Sequence, residues 1–221
     1  MGDEEEQEKI WDEYDWERFL QLQDRKTEKY MELLERYIDD PNRDQIIARE
    51  MGWYHLLDKE GAEWEEKVEA LFEEVFEEDR DDEPESDDPF GECQGYEVHP
   101  LYQASFGLSI WIDKLLKDLG EVQGKPACVL LSNQVAVTGA KLAAALSDDD
   151  VDEIGMTIAY LKRGLKAIIT AMEASAQLRK ETSITPEQLA ALNERLFQIR
   201  DGIITLMGQY RIEFRRRNDG R

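Results

Sequence analysis

Apolar residues recur at alternating intervals of three and four positions through four segments in the second half of the chain. Each segment keeps this spacing over three or more turns, as helices do when each buries one stripe against its neighbours. The stripes are Leu101, Ser105, Leu108, Ile112, Leu115 and Leu119; Cys128, Leu131, Val135, Thr138, Leu142 and Ala145; Val151, Ile154, Ile158, Leu161, Leu165, Ile168 and Met172; and Leu189, Leu192, Leu196, Ile199, Ile203, Leu206 and Tyr210. The pattern predicts four helices that share one core.

Turn and capping residues divide these segments. The sequence GKP at 124–126 separates the first two helices, and Ser147 with Asp150 three positions later predicts the start of the third. The sequence TPEQ at 185–188 gives the fourth helix an N-cap, a first-turn proline and a capping-box partner. Because short connections join helices of similar length, residues 97–218 are predicted to form an up-down antiparallel four-helix bundle.

The first 80 residues are predicted to be helical as well, with less regular spacing. One long helix should end before Pro41, a short one should run to about His55, and a third should cover residues 64–76. The stripe of the long helix is Trp16, Leu20, Gln23, Thr27, Tyr30, Leu34 and Tyr37. The predicted fold class is therefore all-α, with an acidic, aromatic-rich helical region over residues 1–76 and an acidic linker over residues 77–96 preceding the four-helix bundle.

The net charge of −24 is confined to the first part of the chain. Residues 1–92 contain 35 Asp and Glu against 11 Lys and Arg, whereas residues 93–221 contain 16 of each. A composition shift this sharp marks a boundary. The acidic field repels nucleic acid and anionic membranes and attracts basic surfaces. A basic protein surface or a second copy of the chain is therefore the expected partner, and neither nucleic acid nor a membrane is expected.

Location is predicted from the start of the chain and from its apolar runs. The opening sequence MGDEEEQEK is acidic, the opposite of a basic and apolar secretory leader. The longest unbroken apolar runs are much shorter than the ~20 residues of a membrane span. Cys93 and Cys128 form no C-x-x-C pair and are expected to be unpaired thiols. These features together predict a cytoplasmic protein.

The acidic run at residues 77–92, EEDRDDEPESDDPFGE, does not have the pattern of a calcium loop. An EF-hand needs a glycine at its sixth position, where the chain makes a sharp turn. Counted from Asp79, the sixth position is Pro84, whose ring fixes φ where the loop needs glycine. The run is therefore predicted to be a charged, self-repelling linker.

The sequence contains few of the residue patterns that are typical of catalytic sites. Gly52 and Tyr96 stand three positions before His55 and His99, so neither histidine completes the E-x-x-H pair of a di-metal bundle. The bundle stripes carry no carboxylate, and no glycine-rich phosphate loop is present. His99 stands before Pro100 at a helix start, where a capping or a surface role is expected rather than a catalytic one. No catalytic residue and no cofactor are predicted.

Aromatic residues among the acidic helices favour an interaction function. A solvated acidic arm would not need tryptophans. Trp11, Trp16 and Trp64 are therefore predicted to dock on a partner after long-range charge has steered the encounter. The favoured hypothesis is a non-catalytic interaction or scaffold protein whose acidic N-terminal helices bind a basic surface.

The chain itself offers one such surface at its C-terminus, RIEFRRRNDGR. Arg215, Arg216 and Arg217 are the predicted contact residues, either within one chain or across a homodimer; cations there also complement the helix dipole. Gly155 and Ala159 form a pair of small residues beside the third stripe. This pair is predicted to accept another helix, from the N-terminal half or from a second copy.

An alternative enzymatic hypothesis rests on Glu65, Glu66 and Glu69. Their E-E-x-x-E spacing resembles the first metal motif of all-α nucleoside-triphosphate pyrophosphohydrolases. The resemblance implies a magnesium-dependent hydrolase in which helical carboxylates hold Mg²⁺ against a triphosphate. The same spacing recurs at residues 4–8 and 73–77, as expected in a segment this rich in glutamate, so the interaction hypothesis is preferred.

Overall fold

Six α-helices make up most of the described part of the chain. The computed structural model describes residues 10–54, 95–120, 122, 124–147 and 153–218. The helices are α1 (Glu13–Arg36), α2 (Arg43–Met51), α3 (Pro100–Asp118), α4 (Pro126–Leu146), α5 (Ile154–Glu181) and α6 (Pro186–Asn218). The described residues contain no strand. The predicted all-α fold is confirmed.

The chain divides into two compact units. One contains Met1–Glu17 together with Glu92–Arg221, and the other contains Arg18–Gly91. The first unit thus groups the start of α1 with the helices of the bundle. Most of the predicted linker, together with the predicted helix over residues 64–76, lies outside the described residues. The predicted domain limits therefore stay a prediction.

Helices α3 to α6 form the predicted bundle. α4 packs against α3 and α5, α5 packs against α6, and α6 packs back against α3. The predicted stripes are the core of this bundle, because the side chains at most stripe positions are buried. Among the fully buried stripe residues are Leu131, Leu142, Leu161, Ile168, Leu196 and Ile203. Burying such side chains contributes roughly 1.5–3 kcal/mol each, which is the main stabilisation of a bundle.

α5 is the most buried helix of the bundle. Thirteen of its 28 residues are buried, compared with five in α3, seven in α4 and five in α6. Its buried face is wider than the predicted stripe and includes Gly155 and Ala159. A helix with two neighbours in a bundle buries one broad face, so burial beyond that face indicates a third neighbour.

The helix ends use side-chain caps that were partly predicted. His99 Nδ1 accepts the Leu101 backbone N–H at 3.2 Å, and Thr185 and Gln188 exchange the two hydrogen bonds of a capping box. The predicted cap at Ser147 is wrong. This residue ends α4, and its hydroxyl donates back to the Ala143 carbonyl at 2.6 Å. α5 begins only at Ile154.

α4 meets the length and composition criteria of a membrane-spanning helix. It is 21 residues long, with a mean hydropathy of 1.3 over its most apolar window. The core helix of a bundle meets the same criteria, and α4 contributes Leu131, Val135 and Leu142 to the core. The expectation that the chain has no membrane partner therefore stays a prediction.

Two buried serines in the bundle have opposite hydrogen-bonding situations. Ser105 Oγ is fully buried and has no hydrogen-bond partner among the described residues. It faces Gly139, where an added Cβ would lie 3.6 Å away. Ser175 Oγ, by contrast, lies 2.8 Å from Asn193 Oδ1 and 2.7 Å from the Met172 carbonyl oxygen. The first hydroxyl loses its hydration without compensation, whereas the second ties α5 to α6.

We predict that the two serine-to-alanine substitutions change stability in opposite directions. Ser105→Ala should raise the free energy of unfolding by about 1 kcal/mol, because it removes a buried unpaired hydroxyl. Ser175→Ala should lower it by about 1–2 kcal/mol, because Asn193 loses its partner. Urea denaturation of the two variants measures the difference. Equal destabilisation by both substitutions would contradict the prediction.

Candidate interaction site

The segment before α1 is fixed by its own hydrogen bonds. Asp12 is the N-cap of α1, and its Oδ1 accepts the backbone N–H groups of Tyr14 and Asp15, each at 2.8 Å. Asp15 Oδ2 accepts the backbone N–H of Asp12 at 3.3 Å, which completes a reciprocal capping arrangement. Carboxylates in the first turn also suit the positive end of the helix dipole. Residues 10–17, called the strap below, therefore present their side chains from a defined helix start.

The strap lies against α5 at Gly155. A Cβ at this position would lie 2.5 Å from the Trp11 carbonyl oxygen and 2.9 Å from Trp16 Cδ1, closer than such atoms approach. Trp11 and Trp16 contact each other edge to face, with ring centroids 4.9 Å apart. Gly155, one member of the predicted small pair, thus receives the N-terminal segment, which was one of the two predicted occupants.

Glu13 connects the strap to both α5 and α6. Its carboxylate accepts two hydrogen bonds from Arg211, at 3.2 Å from Nε and 2.9 Å from a terminal guanidinium nitrogen. Lys162 Nζ lies 3.6 Å from the same carboxylate. The Glu13 side chain is only 14% exposed. The hydrogen bond to Glu13 raises the pKa of the Arg211 guanidinium, so this cation is held in its charged form.

A second ion pair lies one turn further along α1. Arg163 donates to the two carboxylate oxygens of Glu17 at 3.0 and 3.3 Å, and the Arg163 side chain is 15% exposed. Lys162 Nζ also lies 4.3 Å from the centroid of the Tyr14 ring, a cation–π geometry. Arginine binds a carboxylate through two parallel hydrogen bonds, which adds geometric specificity to charge attraction. The strap is therefore held by paired charges and aromatic contacts together.

A cleft of about 440 Å³ opens beside the Glu13 ion pair. Its lining residues are Asp12, Glu13, Tyr14, Ile158, Arg211, Phe214 and Arg215. The lining contains two carboxylates, two guanidinium groups, two aromatic rings and one aliphatic side chain. Two arginines of α6 therefore line the cleft: Arg211, which is paired with Glu13, and Arg215.

The three arginines predicted as contact residues at the C-terminus have different surroundings. Arg216 and Arg217 donate to the Glu213 carboxylate on their own helix, at distances of 2.7–2.9 Å. Hydrogen bonds from Arg216 and then from Arg217 lower the pKa of Glu213 to about 2. Arg215 is exposed and lines the cleft. The contact that the structure brings to the strap comes from Arg211, one turn earlier on α6.

The negative charge of residues 1–92 is not spread evenly along that part of the chain. Residues 18–54 contain eight Asp and Glu against seven Lys and Arg, a net charge of −1. Residues 10–17 contain four carboxylates and no cation, and residues 55–92 contain 18 carboxylates and three cations. The part of α1 after Glu17 is therefore nearly neutral together with α2. In this second unit, Tyr30 and Trp53 contact each other with ring centroids 5.9 Å apart.

The residues of the magnesium alternative lie outside the described part of the chain. These are Glu65, Glu66 and Glu69, and the predicted partner-binding Trp64 lies there too. Within the described residues, no group of three or more His, Cys, Asp and Glu side chains is placed to hold a metal ion. Cys128 is a buried free thiol whose pKa is raised by burial, as expected of a packing residue.

Comparison with known proteins adds no family to this picture. No protein-family model matches the chain, and neither a curated protein nor a solved structure matches it.

We predict a measurable coupling free energy between Glu13 and Arg211. A double-mutant cycle with Glu13→Gln and Arg211→Gln should give about 1 kcal/mol, because the pair is bidentate and partly buried. The matched control is Glu213 with Arg216, also bidentate, whose arginine side chain is 74% exposed. Its coupling should be smaller, because exposed pairs contribute little. Denaturation measures both, and equal couplings would count against the site.

We also predict that Glu213 stays ionised in acid. Its pKa of about 2 is lower than the ordinary value of 4.5, so its contribution to stability is complete above pH 4.5 and is lost as pH falls toward 2. An NMR titration of the side-chain carboxyl carbon should therefore show a midpoint below the ordinary value, by an amount that solvent screening of this exposed pair limits. Substituting Arg216→Gln and Arg217→Gln together should return the midpoint toward its ordinary value. An unchanged midpoint would mean that the arginines are not the cause.

Proposed function

We propose that the chain is a non-catalytic interaction protein whose acidic N-terminal region binds a basic protein surface. The observation that carries the proposal is the paired geometry of the strap, in which Glu13 and Glu17 each accept two hydrogen bonds from an arginine. The tryptophans beside them supply aromatic contacts. Long-range charge attraction followed by aromatic docking is a recurrent mode of protein recognition.

The partner-facing element for a separate protein is proposed to be the acidic sequence over residues 55–76. The strap already has its carboxylates engaged with Arg211 and Arg163. Residues 55–76 add eight carboxylates against two lysines, together with Trp64. A field of this sign accelerates encounter with basic surfaces and opposes contact with nucleic acid and anionic membranes. A second copy of the chain, with its own arginine-rich C-terminus, is one partner of the required chemistry.

The proposal is tested with two variants of equal charge. One variant neutralises the eight carboxylates of residues 55–76, and the other neutralises the eight of residues 78–88, by Asp→Asn and Glu→Gln substitution. We expect basic proteins captured from lysate at about 0.05 M salt to be retained by the wild-type chain and by the 78–88 variant. They should be lost from the 55–76 variant and released at about 0.5 M salt.

The equal charge of the two variants separates recognition from bulk attraction. Capture that falls equally in both variants would show that total charge alone is responsible. Capture that is unchanged in both would show that the acidic region is not the binding element. Either result would overturn the proposal.

A further inference from the structure

The face covered by the strap has the properties of a binding groove in its own right. It contains Gly155 at the start of α5, Lys162 and Arg163 two turns further along that helix, and Arg211 on α6. We propose that this groove is a receptor for an acidic, tryptophan-containing segment of a partner protein. In the closed chain the strap occupies it. The inference goes beyond the proposed function, because it assigns binding of the opposite polarity to the bundle.

The charge of the groove supports an acidic occupant. Lys162, Arg163 and Arg211 all receive carboxylates from the strap, through Glu13 and Glu17. Glu153 at the start of α5 and Glu213 on α6 are the nearest carboxylates along these two helices, and Glu213 is paired with Arg216 and Arg217. A local excess of cations on a neutral bundle is complementary to a short acidic segment.

The shape of the groove restricts the occupant further. At Gly155 the strap backbone approaches α5 so closely that no side chain larger than hydrogen fits between them. Trp16 lies against the same glycine, and Tyr14 lies beneath Lys162. An occupant that reproduces the contacts of the strap must therefore bring its backbone to α5 and place an aromatic ring against Gly155. Charge alone does not meet this requirement, so tryptophan belongs to the recognised pattern.

The strap is an intramolecular competitor for the groove. A tethered segment has an effective concentration in the millimolar range, so a free segment with the same sequence competes poorly against it. A partner gains access when its own segment binds more tightly or when salt screens the exposed part of the ion pairs. The strap is therefore an autoinhibitory contact that sets a threshold for binding.

The test uses a fluorescent synthetic peptide with the sequence of residues 8–20 as the probe. Its affinity is measured by anisotropy for the full-length wild-type chain and for a full-length variant with Glu13→Lys and Glu17→Lys. These substitutions repel the strap from the groove and leave the groove residues intact. We expect the variant to bind the peptide at least about 10-fold more tightly than the wild type, because the competitor has been removed. Equal affinity for the two chains would overturn the proposal.

Charge reversal in the groove provides the matched control. Placing Arg163→Glu and Arg211→Glu in a chain with the wild-type strap also repels the strap, because Glu13 and Glu17 then face glutamates, and should abolish binding of the wild-type peptide. The reversed groove should instead bind a peptide carrying Glu13→Lys and Glu17→Lys. A wild-type peptide that still binds the reversed groove would show that the groove is not the receptor. Circular dichroism melting checks that each variant is folded. If the lysine variant does not fold, Glu13→Gln with Glu17→Gln removes the ion pairs of the strap without adding repulsion.

Two further measurements separate charge from shape and separate this inference from the proposed function. A peptide with Trp11→Ala and Trp16→Ala should bind the released groove at least about 10-fold more weakly than the wild-type peptide. Equal binding would refute the tryptophan requirement. Neutralising residues 55–76 in the released variant should leave peptide binding unchanged. If the chain captures no basic proteins but the released variant binds the peptide, the proposed function is refuted and the receptor groove is supported.

Discussion

The burial of α5 is the constraint on which the first unit depends. The helix packs against α4 and α6, and its Gly155 lies against the strap. Gly164 has more room, because an added Cβ there would lie 3.6 Å from Lys141 Cβ, an ordinary van der Waals distance. The glycine at position 155 lets the strap approach the α5 backbone. The same property that makes α5 a good core helix therefore also makes its outer surface a docking site.

Charge and packing act on the docking of the strap at different distances. Opposite charges attract over about 10 Å at ordinary ionic strength, which brings an acidic segment toward Lys162 and Arg211. The final position is set by contacts that operate over a few ångströms, at Gly155 and between the rings of Trp11 and Trp16. Salt weakens the first effect more than the second. The ion pairs therefore govern encounter and orientation, whereas packing governs how long the strap stays in place.

The sequence predicted the bundle well because its information is local and periodic. The alternating spacing of buried positions specifies each helix without reference to tertiary contacts, and the pair at Gly155 and Ala159 already indicated where another segment docks. The start of α5 was misassigned at Ser147, because a serine that bonds back to the preceding turn has the same local pattern as an N-cap. The pairing of Glu13 with Arg211 was beyond prediction. Among 35 carboxylates in residues 1–92, tertiary structure alone selects the one that meets a given arginine.

Release of the strap would add Glu13 and Glu17 to the acidic surface offered to a basic partner, and this release would link the proposed receptor groove thermodynamically to the proposed acidic recognition element. A segment that enters the groove releases Glu13 and Glu17, which are then available to a basic partner. By reciprocity, a basic partner that binds the released strap must favour occupation of the groove by the same factor. The coupling cannot exceed the free energy that holds the strap closed, since that contact is the one both partners break. A partly buried pair of bidentate ion pairs with aromatic contacts implies a coupling of a few kcal/mol at most. The chain would thus act as a graded adaptor, in which each partner raises the affinity for the other.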